Sequence, residues 1–190
     1  MRIGILGGTF NPIHIGHLIL AEEALRILKL DKVIFVPCYL PPHKSSKGVI
    51  SVCHRLQMVR LAVKVNSRFA VSDIETKVKG KSYTVDTLEK FRNKFSSATE
   101  LFLVVGSDAR EELPRWKKFG RILELARVVI AARPDYPIGA TSFKSRIMRI
   151  PQIDVSSSEV RNRIKKKVPV RYLVPEPVRQ YILEHKLYMG

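Results

Sequence analysis

The stretch that decides the fold lies near the start of the chain, where residues 3–17 read IGILGGTFNPIHIGH. A short apolar run at residues 3–6 leads directly into Gly7 and Gly8. A short, nearly continuous apolar run of this kind is typical of a strand buried on both faces of a parallel sheet. We predict that this strand ends at the two glycines and that a helix begins near residues 13–16.

The segment after the predicted strand contains the parts of a phosphate-binding site, although it is neither a Walker loop nor a G-x-G-x-x-G motif. Gly7 and Gly8 allow the backbone to approach an anion closely, and the first N–H groups of the helix point back toward the strand end. His14 and His17 are three residues apart, so both imidazoles lie on the same side of the first turn and can donate to phosphate oxygens. The simpler alternative is a turn followed by a capped helix. The convergence of these four residues at the carboxyl end of a strand favours a ligand site.

Further apolar runs along the chain predict the rest of the sheet, at residues 33–36, 69–71, 101–105 and 128–132, with a weaker one at 146–150. Segments with helical periodicity separate or follow them, at residues 18–28, 56–63, 82–95, 156–164 and 177–185. This alternation predicts an α/β fold, a doubly wound and mostly parallel sheet with helices on both faces, as in Rossmann-like proteins, and with right-handed crossovers. We expect a single domain over residues 1–190, in which residues 156–190 form a C-terminal helical portion.

The bulk composition restricts the class of protein. The chain has 190 residues, of which 45% are hydrophobic, which suits one domain with its own core. Its two cysteines, Cys38 and Cys53, exclude a disulfide framework and a CxxC zinc knuckle. No apolar run approaches the roughly 20 residues of a membrane span, and the N-terminus carries no signal-peptide pattern. We therefore expect a cytoplasmic protein without a membrane partner.

The net charge is unusually positive, at +17 from 34 basic and 17 acidic residues. Such an excess favours anionic partners, namely nucleotides, nucleic acid or a membrane surface. The densest run, residues 161–167, reads RNRIKKK, and it either contacts RNA or, more simply, forms a solvated helix end. No RRM, KH or helix-turn-helix signature accompanies it, so nucleic acid is not a required partner.

The N-terminal segment resembles the G-x-F-x-x-x-H-x-G-H signature of the adenylyl- and cytidylyltransferase superfamily, and residues 14–17 read HIGH. The resemblance implies that His14 and His17 are the catalytic residues, which stabilise charge as the α-phosphate of a nucleotide triphosphate is attacked. It also implies ATP contacts from Gly8, Thr9, Phe10 and Gly16. Asn11 stands where the family commonly has aspartate, but the glycines and histidines of the signature are unaltered.

A second candidate anion site lies where residues 155–161 read VSSSEVR. A serine followed three residues later by Glu159 matches a capping box, so the simpler interpretation is a well-capped helix. The functional interpretation is that hydroxyls, helix N-terminal N–H groups and an arginine one turn further on bind an anion. The segment resembles the I-S-S-T-x-I-R segment of the same superfamily, with Ser158 in place of the usual threonine. The resemblance implies triphosphate contacts from Ser156, Ser157 and Arg161.

Three further segments resemble the nicotinate-mononucleotide adenylyltransferases of that superfamily: PPHK at 41–44, SYTVDTL at 82–88, and GSD at 106–108 with the only tryptophan eight residues beyond. Each lies near the carboxyl end of a predicted strand, where a second ligand can bind. The resemblance implies that the mononucleotide is recognised by Lys44, Thr84, Asp108 and Trp116, with the indole stacked on the pyridine ring. It also implies ATP contacts from Gly106 and Arg133. The alternatives are that Trp116 packs in the core and that Lys44 is a solvated loop charge.

The implied reaction is adenylyl transfer in NAD biosynthesis. The phosphate of nicotinate mononucleotide attacks the α-phosphorus of ATP, pyrophosphate leaves, and deamido-NAD forms. The protein then acts by positioning and charge stabilisation, and Mg²⁺ is implied as a cofactor carried by the ATP phosphates, with no protein metal ligand predicted. The expected partners are ATP and a pyridine mononucleotide, and a homo-oligomer is compatible with the sequence.

Several alternatives stay open at this point. Another transferase of the superfamily, of the phosphopantetheine adenylyltransferase or cytidylyltransferase type, shares only the two nucleotide motifs. A truncated class I aminoacyl-tRNA synthetase is disfavoured because the chain contains no KMSKS string. From a different class, a basic RNA-binding module accounts for the charge alone, and its binding is expected to weaken steeply with salt. Nicotinate and nicotinamide mononucleotide are both open as the acceptor.

Overall fold

The described residues form a sheet of six parallel strands in the order β3-β2-β1-β4-β5-β6. The structure, a computed structural model, describes residues 1–40, 48–77, 80–132, 142–151 and 153–189. The strands are β1 (Arg2–Gly8), β2 (Lys32–Pro37), β3 (Phe69–Val71), β4 (Glu100–Gly106), β5 (Arg127–Ala132) and β6 (Ser145–Arg149). All six predicted strands are present, including the weaker sixth one.

The helices are α1 (Ile15–Ile27), α2 (Val52–Val63), α3 (Thr84–Lys94), α4 (Phe119–Leu125), α5 (Ser157–Lys165) and α6 (Glu176–Glu184). Five of them were predicted, and α1 begins within the predicted window. The sequence analysis missed α4, which is seven residues long and buries only Ile122 and Leu125. Two buried positions three apart produce no recognisable amphipathic repeat.

Two apolar cores lie on the two faces of the sheet, because successive side chains of a strand point to opposite faces. Val33 and Phe35 of β2 belong to the core that also contains residues of α1, α2, α5 and α6. Ile34 and Val36, the alternate residues of the same strand, belong to the core formed with α3 and α4. Helices on both faces confirm the predicted doubly wound α/β fold.

The strand order reverses direction between β1 and β4, which are neighbours in the sheet. In open α/β sheets a crevice forms beyond the carboxyl ends of the strands at such a switch point, and ligands bind there. Gly8 ends β1 and Gly106 ends β4, so the fold places both of these predicted site glycines at this crevice. Among the described residues, no helix is long and apolar enough to cross a membrane.

Candidate active site

A cavity of about 920 Å³ occupies the crevice at the switch point. Of the predicted site residues, those that line it are Gly8, Thr9, Phe10, His14, Gly16, His17, Thr84, Gly106, Asp108, Trp116, Ser156, Ser157 and Arg161. The two remaining ones, Lys44 and Arg133, lie outside the described residues. Residues as distant in sequence as Asn11 and Arg161, which are 150 positions apart, therefore line one cavity.

The two histidines form a compact pair at the start of α1. His14 is the N-cap residue and is buried, and its ring centroid lies 3.8 Å from that of His17. The backbone N–H of His14 donates to Nδ1 of His17 at 3.2 Å. In a neutral imidazole whose Nδ1 accepts a hydrogen bond, the proton is on Nε2. This contact makes Nε2 of His17 the donor atom of the ring.

Gly16 packs closely between the two motifs. A Cβ at this position would lie 3.1 Å from Nδ1 of His14 and 3.1 Å from Cγ1 of Val155. Phe10 has a φ of 46° and is buried, and its ring lies edge-on to His17 at 5.0 Å. Phe10 thus supports the histidine from the core, in addition to lining the cavity.

Direct hydrogen bonds join the N-terminal and the serine-rich segments. The hydroxyl of Ser157 donates to the carbonyl of Pro12 at 2.8 Å, and Nη1 of Arg161 donates to the carbonyl of Asn11 at 2.8 Å. Ser156 caps α5 by accepting from the N–H of Glu159 at 3.1 Å. The two candidate anion sites therefore form one assembly at the carboxyl ends of the strands.

Asn11 and Tyr188 complete this assembly, and the sequence analysis assigned a role to neither. Nδ2 of Asn11 donates to the carbonyl of Gly48 at 3.0 Å, and its Oδ1 accepts from the N–H of Ile50 at 3.3 Å. The hydroxyl of Tyr188 also donates to Oδ1, at 2.9 Å. Burial raises the pKa of Tyr188 well above its usual value, so the phenol stays protonated and keeps donating.

Arg55 of α2 is a second residue that the sequence analysis missed. Its side chain is 1% exposed. Its guanidinium donates to four backbone carbonyls, which lie in the loop after β1, in the loop after β2 and just before α2. The acceptors are Thr9 at 2.7 Å, Cys38 at 2.8 Å, Tyr39 at 2.7 Å and Ile50 at 3.1 Å. Arg55 therefore fixes the loops that form one wall of the cavity.

The opposite wall comes from the start of α3 and from the segment after β4. Thr84 is the first residue of α3, and Asp108 lies in a 3₁₀ turn that directly follows β4. A Cβ on Gly106 would lie 2.5 Å from Oδ1 of Asp108. Only glycine at this position leaves the Asp108 carboxylate where it is.

Replacing Gly106 with alanine is expected to displace the Asp108 carboxylate and to lower kcat/KM for the second substrate by about tenfold, the equivalent of one lost hydrogen bond. Steady-state kinetics with the expected mononucleotide varied at a saturating concentration of the expected nucleotide, ATP, measure the effect. Gly120→Ala in α4 is the matched control, since a Cβ there meets nothing within 4 Å. An unchanged kcat/KM for Gly106→Ala would show that Asp108 makes no contact with that substrate.

Glu75 is a cavity-lining carboxyl that the sequence analysis also missed. Its Oε1 accepts from the hydroxyl of Thr87 at 2.5 Å, and Ser82 is a second hydrogen-bond partner. Ser82 in turn accepts from the N–H of Tyr39 at 3.2 Å. Burial raises the pKa of the Glu75 carboxyl above its usual value, against the opposing effect of the hydrogen bonds from Thr87 and Ser82.

The raised pKa of Glu75 makes its contribution to stability dependent on pH. Between the unfolded and the higher folded pKa, the folded state binds more protons than the unfolded state, so the free energy of unfolding falls as the pH rises. Glu75→Gln removes this ionisation. We expect the stability of the variant relative to the wild type to be greater at about pH 8 than at about pH 4.5. Urea unfolding at both pH values measures the free energy of unfolding of the variant and of the wild type. Glu184→Gln, at an exposed position, is the control. An equal dependence of its relative stability on pH would contradict the assignment to Glu75.

The donor set of the cavity fits a magnesium ion that is carried by phosphates. Among the described ranges, no group of three or more His, Cys, Asp or Glu side chains is placed to hold a metal. Mg²⁺ usually keeps several waters and binds through substrate phosphates with one or two carboxylates. The segment after β4 contributes two carboxyl side chains to the cavity, those of Asp108 and Glu112.

The chain belongs to the cytidylyltransferase-like family, whose pattern matches residues 5–163. It is 44% identical over 188 residues to a probable nicotinate-nucleotide adenylyltransferase of Thermus thermophilus, covering 99% of this chain and 100% of the relative. A second relative of the same name, from Oceanobacillus iheyensis, is 40% identical over 187 residues, which cover 98% of this chain and 96% of the relative. Within the family, the chain groups with the nicotinate-nucleotide adenylyltransferases and is a nucleotidyltransferase.

Comparison with solved structures confirms the fold. The nicotinic acid mononucleotide adenylyltransferase of Plasmodium falciparum, solved in complex with NaAD, superimposes with a TM-score of 0.82 at 20% sequence identity. The superposition covers 98% of this chain and 97% of that chain. The predicted family and fold class are both confirmed by these relationships.

Proposed function

We propose that the protein transfers the adenylyl group of ATP to nicotinate mononucleotide, giving deamido-NAD and pyrophosphate. The observation that carries this proposal is the single cavity shared by the histidine pair and the serine-rich turn, joined by the Ser157–Pro12 and Arg161–Asn11 hydrogen bonds. A cavity of about 920 Å³ at a switch point has room for two nucleotides side by side. The names of the relatives supply the identity of the two substrates.

The chemistry is an in-line displacement at phosphorus. An oxygen of the mononucleotide phosphate bonds to the α-phosphorus of ATP as the bond to the β-phosphate bridging oxygen breaks, and pyrophosphate leaves with that electron pair. Nε2 of His17 donates toward the charge that develops on the transferring group, and His14 fixes the ring through its N–H contact to Nδ1. The attacking phosphate is already nucleophilic, so positioning and charge stabilisation supply the catalysis.

The remaining residues divide between the two substrates. Gly8, Thr9, Phe10, Gly16 and Gly106 line the nucleotide side, and Ser156, Ser157 and Arg161 bind the triphosphate. Thr84, Asp108 and Trp116 bind the mononucleotide. Of the two predicted cations outside the described residues, Lys44 is assigned to the mononucleotide and Arg133 to the ATP phosphates. Mg²⁺ carried by the phosphates would neutralise part of their charge. Residues 156–190, as the C-terminal helical portion of a single domain, complete the ATP side.

Direct product analysis tests the proposal. The full chain is incubated with ATP, Mg²⁺ and either nicotinate or nicotinamide mononucleotide, and dinucleotide and pyrophosphate are quantified. Phosphopantetheine and glycerol phosphate serve as alternative acceptors. Dinucleotide formation supports the proposal, whereas pyrophosphate release with only an alternative acceptor would contradict it. Cytoplasmic location and a homo-oligomeric state stay predictions.

A further inference from the structure

The two walls of the cavity differ in charge. The side formed by the histidine pair and the serine-rich turn contributes Arg161. The side formed by the start of α3 and the segment after β4 contributes the aromatic rings of Tyr83 and Trp116. That side also contributes the acidic residues Glu75, Asp108 and Glu112. An anionic mononucleotide that enters the aromatic side therefore meets a surplus of acidic groups.

Among the described residues, Lys117 is the cationic side chain on the aromatic side of the cavity, the side of Tyr83 and Trp116. Of all described side chains that line the cavity, only Arg161 and Lys117 are arginine or lysine. Arg161 is held at the other side through hydrogen bonds to Asn11 and Ser158. Lys117 directly follows Trp116 in sequence, and its ammonium lies over the ring of Tyr83, which lines the same side of the cavity.

The position of the Lys117 ammonium is set by two contacts from α3 and its N-cap residue. Nζ lies 3.3 Å from Oδ2 and 3.4 Å from Oδ1 of Asp86, and 4.4 Å from the centroid of the Tyr83 ring. The side chains of Lys117 and Asp86 are 42% and 47% exposed. An ion pair this exposed contributes little to stability, so the ammonium can turn toward a ligand at low cost.

We propose that Lys117 is a specificity-determining residue that favours a mononucleotide with a carboxylate on its ring over one with a carboxamide. The inference rests on the proposed function. Both mononucleotides carry the same phosphate, so the attraction between Lys117 and the phosphate is the same for both. The ring substituent differs between them by one negative charge, and only that difference changes the ratio of the two kcat/KM values.

Asp86 makes the inference quantitative, because the pair can be dissected one charge at a time. The charges of Lys117 and Asp86 sum to zero. Lys117→Met leaves a net charge of −1 on the pair, Asp86→Asn leaves +1, and the double variant returns it to zero. If the ammonium acts on the ring carboxylate, Lys117→Met lowers the acid-over-amide ratio and Asp86→Asn raises it. The double variant stays below the wild type, because it has lost the charge that turns toward the ligand.

The test is the ratio of kcat/KM for nicotinate mononucleotide to that for nicotinamide mononucleotide, measured for the wild type and these three variants. We expect the ratio to fall by about tenfold in Lys117→Met, as one charge at a distance of several ångströms predicts at a partly exposed site. It rises in Asp86→Asn, lies between the Lys117→Met value and the wild-type value in the double variant, and is retained in Lys117→Arg. All differences shrink at high ionic strength. Lys118→Met, one residue further on and exposed, is the matched control with an unchanged ratio.

The outcomes separate the inference from the function on which it rests. Equal loss of activity with both mononucleotides in Lys117→Met, or the same ratio in all variants, overturns the role of Lys117 and leaves adenylyl transfer intact. A wild type that prefers the amide does the same. Should Lys117→Met fail to fold, Asp86→Asn decides alone through the rise of the ratio. Absence of dinucleotide with either substrate in the wild type overturns the proposed function, and the inference with it.

Discussion

His17→Ala is expected to lower kcat by about 10²–10³, the loss that follows removal of one preorganised donor to a developing oxyanion. Nδ1 of His17 accepts the backbone N–H of His14, which leaves Nε2 as the donor atom of the neutral ring. The ring is also fixed by the edge of Phe10 at 5.0 Å and by the ring of His14 at 3.8 Å. A donor that cannot turn costs no reorganisation when charge develops, so its loss affects the transition state most.

The prediction for His17 specifies which kinetic constant changes. Because the donor acts mainly in the transition state, KM for ATP is expected to change by less than about threefold while kcat falls. Steady-state kinetics with ATP as the varied substrate measure both constants. His185→Ala is the control, because His185 is exposed on the turn after α6. Near-normal kcat in His17→Ala would refute the catalytic role.

The fold was predictable because its four central strands, β1, β2, β4 and β5, are largely buried on both faces. Val33 to Val36 of β2 are all buried, and such continuous apolar runs stand out from the amphipathic helices between them. The edge strand β6 was the weakest prediction because only Met148 of its five residues is buried. The short helix α4 escaped because its place in the fold depends on packing against α3 and β5 rather than on a repeat of its own.

The site was predictable where its residues form local motifs and hidden where they act through backbone atoms distant in sequence. The predicted histidines and serines, and all the predicted glycines except Gly106, lie within two short segments. Arg55 binds the carbonyls of Thr9 and Cys38, and Tyr188 binds Asn11, which is 177 residues away in the chain. A lone arginine on a helix or a tyrosine near a terminus has no spacing that indicates such a partner. Acidic residues around Lys117 such as Glu75 are likewise distant from it in sequence, and only folding brings them to the same side of the cavity.

The largest effect on stability is expected for Arg55→Met. Methionine approximates the length of the side chain but removes every donor, so the carbonyls of Thr9, Cys38, Tyr39 and Ile50 lose a charged partner. Relief of the desolvated guanidinium offsets part of this loss, since burial lowers the pKa of Arg55. We expect a net decrease of about 4 kcal/mol in the free energy of unfolding, a large share of the roughly 5–15 kcal/mol of a typical domain.

Urea unfolding of Arg55→Met and of Arg60→Met separates the buried contacts from the loss of a charge, because Arg60 is an exposed arginine of the same helix. A decrease below about 1 kcal/mol for Arg55→Met, no larger than an exposed site gives, would show that the loops are held by other contacts. Arg55→Lys extends the test. Its compact ammonium has three donors and lacks the planar fork of the guanidinium, so it cannot bind all four carbonyls at the arginine geometry. We expect Arg55→Lys to unfold at an intermediate urea concentration and, below that concentration, to show a raised KM for ATP, because the Thr9 loop that lines the nucleotide side is held less firmly.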